Sequence, residues 1–334
     1  MMDMGKWLLL SMSWASASLL APAVHAAEAA KYQAPRNEYD QPDLRGVWNF
    51  SSDVPLQRPK DKPDKLYQTR EDIEKSNAAR EKQFEQITQQ GVGFHNQFWL
   101  DYESQTENLR TSLLIYPLNG RLPKLVDGVT KIGGFAAAFK DVPGTRPVRF
   151  GFGGIGKDGP EDRGLSERCI AADNGPPLTP GFDNNYLQIF QGRDHVVILN
   201  EQIHDARTIF TDGRPPPDDA VRGWYGYSRG RWEGDTLVIE TRNFNGLTQS
   251  FDASGTSSDK VVTERLTRVA DGTLEYQATL VDPKTFTDQF TLVFPMAKTD
   301  KRIYEFACHE GNYSMELILS GARKEEADAL QAKQ

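Results

Sequence analysis

Segments in the last two thirds of the chain alternate apolar and polar residues with a period of two, and this alternation most constrains the fold. From Arg110 onward such segments follow one another, with short turn sequences between them. Because no helical period separates them, the strands are expected to pair as an antiparallel meander or barrel. The predicted strands are 113–116, 186–190, 195–210, 236–244, 260–269, 273–281, 286–294 and 302–308.

Turn sequences and two helices complete this prediction. Turns are expected at 192–194, 233–235 and 271–272, and Asn119-Gly120 is a hairpin signal. Thr69 and Asp72 form a variant capping box that starts a surface helix over 69–90, which Gly91 can end. A short second helix is expected at 321–334. The fold class is therefore predicted as mainly β, with a surface helix near the N-terminus and a short C-terminal helix.

The first 26 residues have the pattern of a cleavable secretion signal. Lys6 precedes a short apolar stretch over 7–20, Pro22 breaks it, and Val24-His25-Ala26 is a small-x-small cleavage sequence. A membrane anchor is the alternative, but serines interrupt the stretch and it is shorter than the roughly 20 residues that span a bilayer. The mature protein is expected in the periplasm or outside the cell, with no membrane insertion after cleavage.

The rest of the chain is expected to form one β domain with an N-terminal extension. Residues 27–109 hold a polar tether, a first strand, a proline-rich linker over 55–63 and the surface helix. Residues 110–334 hold the antiparallel β domain, to which 43–50 also belongs. Gly46-Val47-Trp48 at the head of the first strand resembles the opening signature of lipocalin-like barrels, where the tryptophan plugs the barrel base.

Charge and cysteine content limit the partners and the compartment. The net charge of −8 disfavours nucleic acid and anionic membrane surfaces, which need clustered Lys and Arg. Cys169 and Cys308 are the only cysteines of the mature chain, and in an oxidising compartment they are expected to form one disulfide. It would close a loop of about 140 residues and stabilise the fold by limiting the entropy of the unfolded chain. Two buried free thiols are the alternative.

Two familiar motifs occur without the structural context that they need. Residues 151–156 match G-x-G-x-x-G, but a dinucleotide site needs a helix to begin at the third glycine, and Lys157-Asp158-Gly159-Pro160 follows. Residues 226–230 match G-x-S-x-G around Ser228, but a nucleophile elbow needs a helix after it, and a strand is expected there. No redox cofactor is therefore expected, and a serine hydrolase with His309 downstream is a minor alternative.

Two histidines are the candidates for acid–base chemistry. His204 and His309 are each followed by a carboxylate, Asp205 and Glu310. Neighbouring side chains of a strand point to opposite faces, so neither doublet is a dyad and any pair must form between strands. The two histidines are assigned as base and acid, the carboxylates as orienting groups, and Arg207 as the anion-stabilising group.

The surroundings of these residues favour a ligand-holding barrel. Both faces of the predicted strand over 195–210 mix apolar and polar residues, which is typical of a barrel lumen, although a half-buried strand with one solvated face is the alternative. His309 is expected at a strand end, at the mouth of the barrel. A hydrogen-bonded structural histidine is the alternative for that position.

Arginine and aromatic residues are candidates for ligand binding. Arg163 and Arg168 can clamp a carboxylate or phosphate, or can pair with acidic neighbours in the same charged loop. Trp224, Tyr225 and Trp232 can stack over a flat ligand or sugar, or can plug a barrel end. No metal is expected, because no local spacing supplies the three ligands that a tightly bound zinc requires.

Five longer motifs resemble a family of secreted bacterial proteins, one that is largely uncharacterised. They cover nearly the whole mature chain. The resemblance implies a lipocalin-like β architecture and no particular reaction. The motifs are PDLRGVW at 42–48, EDRGLSERC at 161–169, IHDAR at 203–207, GRWEGDTLV at 230–238 and ACHEGNY at 307–313.

Three functional hypotheses follow. The first is an enzyme without a redox cofactor that acts by proton transfer on a small, partly apolar molecule, as a lyase, isomerase, cyclase or hydrolase. The second is a non-catalytic carrier or sensor with the same cavity. The third is a glycan-binding or glycan-processing protein. Convergence of the two histidines would favour the enzyme, and outward histidines would favour the carrier.

Overall fold

Nine strands close into a barrel at the centre of the fold. This computed structural model describes residues 32–89, 104, 106–129, 156–172, 175–181, 183–252 and 254–333. The strands are β1 Gly46–Asn49, β2 Leu114–Tyr116, β3 Tyr186–Gln191, β4 His195–Asn200, β5 Ala206–Phe210, β6 Tyr227–Glu233, β7 Thr236–Arg242, β8 Val261–Ala270, β9 Thr273–Val281 and β10 Phe290–Thr299, and the helices are α1 Arg70–Gln89 and α2 Tyr313–Gln331.

The sheet order shows how the barrel closes. The strands run β1-β3-β4-β5-β6-β7-β8-β9-β10, and β1 also pairs with β10. Along one edge of β10, the first half of the strand pairs with β2 and the second half pairs with β1. The barrel pairs are antiparallel except for β5 and β6, which are parallel. The predicted mainly β fold is confirmed, and a lipocalin-like barrel is consistent with it.

Alternation along the strands fills the barrel interior. Every second residue of β8 and β9 is buried, apart from the strand ends, as the period of two predicts. Side chains on the buried face pack into one apolar core, and burying each large one stabilises the fold by about 1.5–3 kcal/mol. The bulkiest of the fully buried side chains are Trp48, Phe50, Phe244, Tyr276, Phe290 and Phe294.

We call the two ends of the barrel the lower end, where β1 begins and β10 ends, and the upper end, where β4 ends and β8 begins. Trp48 is fully buried toward the lower end, and its Nε1 donates a hydrogen bond of 2.9 Å to the carbonyl of Leu44. Residues Gln33–Gln334 group into one compact unit. The first strand therefore belongs to the same unit as the later ones.

The N-terminal helix begins as the sequence predicts. The backbone N–H of Thr69 donates to Asp72 Oδ2 at 3.0 Å, and the N–H of Asp72 donates to Thr69 Oγ1 at 3.1 Å. This reciprocal pair satisfies two of the otherwise unbonded donors at the start of α1. Gly91, the predicted end of the helix, lies outside the described residues.

The prediction of a single strand over 195–210 is wrong. The segment is a hairpin of β4 and β5, and the turn between them contains no Gly or Pro that would mark it in the sequence. Ile203 and His204 adopt left-handed φ values of 59° and 45°, which reverse the chain. Because Ile198 on β4 lies opposite Arg207 on β5, the turn changes which residues face inward, and Arg207 points into the barrel.

The predicted strand over 302–308 is also wrong, because β1 already occupies the edge of β10 that this segment would need. The segment has no strand structure, and His309 is therefore not at a strand end. The C-terminal helix begins at Tyr313, before the predicted 321. Asn119-Gly120 forms a turn, but β2 before it pairs with β10 and not with a following strand, so no hairpin forms there.

The predicted signal over 1–26 lies outside the described residues. Within the part of the chain that the structure describes, no helix combines the length and the apolar character needed to cross a membrane.

Candidate functional site

Four ionisable side chains lie buried together near the upper end of the barrel. We call Arg207, Lys260, Glu264 and Tyr276 the inner polar cluster. Arg207 lies on β5, Glu264 on β8 and Tyr276 on β9, each at an inward position of its strand, and Lys260 directly precedes β8. Their exposed fractions are 8%, 5%, 0% and 0%. Charged groups are almost never buried to this extent unless they are paired.

Glu264 is the hub of the cluster. Arg207 donates to both of its carboxylate oxygens, from Nη1 to Oε2 and from Nη2 to Oε1, the latter at 2.9 Å. The Tyr276 hydroxyl donates to the same Oε1 at 2.9 Å. Burial, followed by the charge of Glu264, raises the pKa of Tyr276 well above its usual value, so the phenol stays protonated. The charge of Arg207 is thus balanced inside the barrel.

A second pair of hydroxyls supports the arginine. Arg207 Nη1 lies 3.5 Å from Thr241 Oγ1, and Thr241 Oγ1 shares a hydrogen bond of 2.9 Å with Ser228 Oγ. Ser228 lies within β6 and is buried, with no helix after it. The G-x-S-x-G match is therefore part of a strand rather than a nucleophile elbow, as predicted. Of the G-x-G-x-x-G match, only Gly156 is among the described residues.

Lys260 has an unusual environment for a lysine. Its Nζ donates to the carbonyls of Ser250 at 3.1 Å and Pro176 at 3.4 Å, and lies 4.3 Å from the centre of the Phe244 ring. Burial lowers the pKa of the ammonium group to about 8, against the opposing charges of Asp282 and Glu264. A substantial fraction of this amine is therefore neutral in mildly alkaline solution.

Residues 175–181 cover the cluster, and we call them the cover segment. The Leu178 N–H donates to the Tyr276 hydroxyl at 2.8 Å, and the Pro176 carbonyl accepts from Lys260. The backbone of the cover segment thus supplies both a donor and an acceptor to the cluster. Gly175 lies so close to the Tyr225 ring that any side chain there would collide with it.

The predicted aromatic residues pack against neighbouring segments. The Tyr225 hydroxyl accepts from the Ala172 N–H at 2.9 Å and donates to the Ala172 carbonyl at 3.2 Å. Trp224 and Tyr225 pack against Leu165 and Ala171, whereas Trp232 packs against the barrel core. All three are half-buried. Tyr225 anchors the chain that leads into the cover segment.

The predicted disulfide between Cys169 and Cys308 is confirmed, with a Cα–Cα distance of 5.7 Å. Beside it, Arg163 is buried and pairs with Glu167 at 3.0 Å, and its Nη1 donates to the carbonyl of Gly156 at 2.9 Å. Arg163 therefore pairs with an acidic neighbour in its own charged loop, which is the alternative to ligand binding that the sequence left open. Arg168 is half-buried.

The two candidate catalytic histidines are exposed. His204 ends the 3-10 turn Gln202–His204, and its Nδ1 lies 3.4 Å from the Phe306 carbonyl. His309 and Glu310 are exposed on the segment before α2. Within the described part of the chain, no hydrogen bond joins His204 to His309.

Asp205 directly follows His204, and the pKa of its carboxyl group is shifted. It is half-buried, and burial raises the pKa of Asp205 despite the nearby positive charges of Arg207 and His204. Burial also raises the pKa of Glu201, whose Oε1 accepts from the Tyr304 N–H at 3.2 Å. Both carboxyl groups flank the strained turn that carries His204.

Sequence reasoning found Arg207 and missed the other three members of the inner polar cluster. A signal for Glu264 exists in the sequence: it occupies an inward position between Val262 and Leu266 on an alternating strand. A charge at such a position must find a buried partner. For Lys260 and Tyr276 the sequence carries no comparable signal.

Metal binding has no support among the described residues, where no three His, Cys, Asp or Glu side chains come together as ligands. The fold and the cluster define a closed β-barrel with a charged interior. Comparison with protein-family models, with curated proteins and with solved structures found no match for this chain.

Proposed function

We propose that the protein is an exported carrier of a small, mostly apolar molecule, held at the upper end of the barrel beside the inner polar cluster. The single observation that carries this proposal is the way the cluster is covered. The Tyr276 hydroxyl accepts a hydrogen bond from the Leu178 N–H, and Lys260 Nζ donates one to the Pro176 carbonyl. Both bonds join the cluster to the backbone of the cover segment and not to neighbouring strands. A ligand that displaces this segment can replace those bonds while the hydrogen bonds between the barrel strands stay in place, and its apolar part can take the position of the buried Leu178 side chain.

The charges of the site indicate the polar part of the ligand. Arg207 and Lys260 carry two positive charges, and Glu264 and Asp282 carry two negative charges when all four are ionised. Because these charges balance, the site does not call for an anionic or cationic ligand. The site is matched best by a ligand with an uncharged oxygen, which accepts a hydrogen bond from Lys260 in place of the Pro176 carbonyl.

Aromatic rings indicate the apolar part of the ligand. Phe244 lies against Lys260, and Phe290 is in ring contact with Phe251 at 4.8 Å and with Phe286 at 5.5 Å between ring centres. Small-molecule sites in proteins are mostly apolar, with a few fixed polar groups that set orientation. Rings beside a small buried polar cluster fit that description.

The energetics of the ion pair also favour a role in recognition. A buried ion pair seldom stabilises a protein more than apolar side chains of similar volume would. Arg207 and Glu264 are therefore not required to hold the barrel together. As a fixed polar group inside an apolar core, the pair can select ligands by orientation.

Export is part of the proposal, and two features support it. The first 26 residues have the pattern of a cleavable signal, and the Cys169–Cys308 disulfide is typical of proteins that fold in an oxidising compartment.

Calorimetric titration with decanol, an apolar molecule with one uncharged oxygen, tests the proposal. We expect saturable binding with a negative heat-capacity change, because apolar surface is buried. Lys260→Met should weaken decanol binding by roughly tenfold, the effect of losing a hydrogen bond to a charged donor. Lys298→Met is the matched control, since Lys298 is exposed and lies 6.0 Å from the Trp48 ring toward the lower end. Absence of saturable binding in the folded protein would contradict the carrier function.

Acid–base catalysis without a redox cofactor is the second candidate function, and the turn at His204 favours it. Ile203 and His204 both have left-handed backbone, which is uncommon for a β-branched residue and costs roughly 1–3 kcal/mol. Strain of this kind clusters at functional sites, and Asp205 beside it has a raised pKa. Lyase, isomerase or hydrolase activity that falls at least about a hundredfold in Asp205→Asn would support this candidate.

A further inference from the structure

Lys260 is a buried lysine that contacts no carboxylate among the described residues. Within the described residues, its Nζ bonds only to the backbone carbonyls of Ser250 and Pro176. If Lys260 had only a structural role, its ammonium group would be expected to contact an acidic side chain, because the desolvation of an ammonium group costs several kcal/mol. The amine is therefore held by uncharged acceptors, which an uncharged oxygen of a ligand can replace.

Two buried polar atoms near the Lys260 amine, Asp282 Oδ2 and Ser250 Oγ, can each form a further hydrogen bond. Val261 lies opposite Val281 in the β8–β9 pair, so the adjacent positions, Lys260 and Asp282, face each other across the strand ends. Asp282 is 2% exposed, and its Oδ2 has no hydrogen-bond partner in the described part of the chain. Ser250 is 3% exposed, and its Oγ also has none among those residues. Unpaired buried polar atoms are rare in folded proteins and call for an explanation.

We infer that Lys260 binds a small apolar aldehyde or ketone covalently, as an imine, with Asp282 and Ser250 assisting its formation. This inference rests on the proposed carrier function and names the chemical class of its ligand. The carbonyl oxygen of such a ligand is the uncharged acceptor that the charge balance of the site favours. The Phe244 ring stays against the nitrogen, where cation–π attraction stabilises the positive charge that develops on it as water leaves.

The reaction needs no reagent beyond the ligand. The lone pair of neutral Nζ attacks the carbonyl carbon, the π electrons move to the oxygen, and Ser250 Oγ donates a hydrogen bond to that oxygen. Asp282 Oδ2 is not in direct contact with Nζ, so it acts through one water molecule: it takes a proton from the nitrogen and gives it to the oxygen, forming a carbinolamine. A second proton transfer in the same direction breaks the C–O bond, and water leaves as the C=N bond forms. Nothing is oxidised or reduced.

The protonation state of the amine supports this role. With a pKa of about 8 instead of the usual 10.5, the neutral, nucleophilic form of Lys260 is roughly 300 times more abundant near neutral pH than that of an ordinary lysine. Burial also limits the access of water that would hydrolyse the imine.

Reductive trapping tests the inference on the full mature protein with its disulfide intact. Hexanal is added near pH 7.5 with cyanoborohydride, which reduces an imine to a stable secondary amine, and peptide mass spectrometry measures labelling at each lysine. We expect Lys260 to be labelled at least about tenfold faster than exposed Lys298, because the neutral amine is so much more abundant. Urea-unfolded protein should lose this preference. Labelling of Lys260 no faster than Lys298 in the folded protein would overturn the inference.

A variant of the assisting acid gives a second readout. Asp282→Asn removes the proton acceptor but keeps the size of the side chain, so it should slow trapping at Lys260 by about tenfold or more. Equal trapping rates in Asp282→Asn and the parent protein would remove Asp282 from the mechanism. Decanol binding without trapping at Lys260 would refute the imine alone, whereas trapping without saturable decanol binding would support the imine and contradict the carrier.

Discussion

Replacing Glu264 with Gln should destabilise the protein strongly, because it leaves the Arg207 guanidinium charged and unpaired inside the barrel. Glu264 is fully buried and bonds Arg207 through both oxygens. Gln keeps one oxygen acceptor, which Tyr276 can still use, but it places an NH₂ group against one arginine N–H. Breaking a buried pair in this way lowers the free energy of unfolding by about 3–5 kcal/mol.

A double variant separates the charge effect from a packing effect. In Arg207→Met with Glu264→Gln, no unpaired charge remains and Tyr276 keeps its acceptor. We therefore expect the double variant to recover about 2 kcal/mol or more of the loss caused by Glu264→Gln alone.

Urea unfolding at pH 7, with the disulfide intact and tryptophan fluorescence as the signal, measures these free energies. Glu240→Gln is the matched control, because Glu240 pairs with Arg229 and Arg242 in contact with solvent, and a surface pair contributes at most about 1 kcal/mol. A loss below about 1 kcal/mol in Glu264→Gln, or additive losses in the double variant, would refute the buried pair.

Three further predictions follow from other parts of the structure. Replacing Cys169 and Cys308 with Ala should lower the free energy of unfolding by about 5 kcal/mol, because the disulfide closes a loop with a sequence separation of 139; an unchanged urea midpoint would contradict this. Asp205→Asn should stabilise the protein at pH 7. Burial raises the folded-state pKa of Asp205 above its usual 3.8. The protonated carboxyl group therefore stabilises the fold fully below pH 3.8, and this stabilisation is lost as the pH rises through the folded-state pKa. The advantage of Asn over Asp should vanish in acid, and parallel stability curves of the two proteins against pH would contradict this prediction. His309→Gln should change the free energy of unfolding by less than about 0.5 kcal/mol, because the side chain is exposed; a hundredfold loss of a measured turnover with an intact fold would instead favour the catalytic candidate.

The sequence predicts the parts of this fold that depend on local patterns. Alternation over β8 and β9 gives the strands and their buried faces, and the Glu233-Gly234-Asp235 turn joins β6 to β7 where Gly234 takes a left-handed φ of 60°. The capping box of Thr69 and Asp72 likewise marks the start of α1. Each of these features is determined by residues a few positions apart.

The site depends on contacts that no local pattern specifies. Arg207 and Glu264 are 57 positions apart and meet only because the barrel closes. The turn before β5 is formed by Ile203 and His204, residues that do not usually mark a turn. Without that turn, alternation assigns Arg207 to the same face as Val197 and Leu199, and the arginine loses its inward position.

The parallel pairing of β5 with β6 gives the barrel a seam. Only Ile209 with Ser228 and Phe210 with Arg229 are in register there, whereas β8 and β9 share nine residue pairs. Local opening is easiest where few backbone hydrogen bonds must break. Backbone amides at this seam should therefore exchange with solvent deuterium earlier than those of β8. Because Arg207 belongs to β5, parting of the two strands would bring water to the buried Arg207–Glu264 pair while the rest of the barrel stays folded.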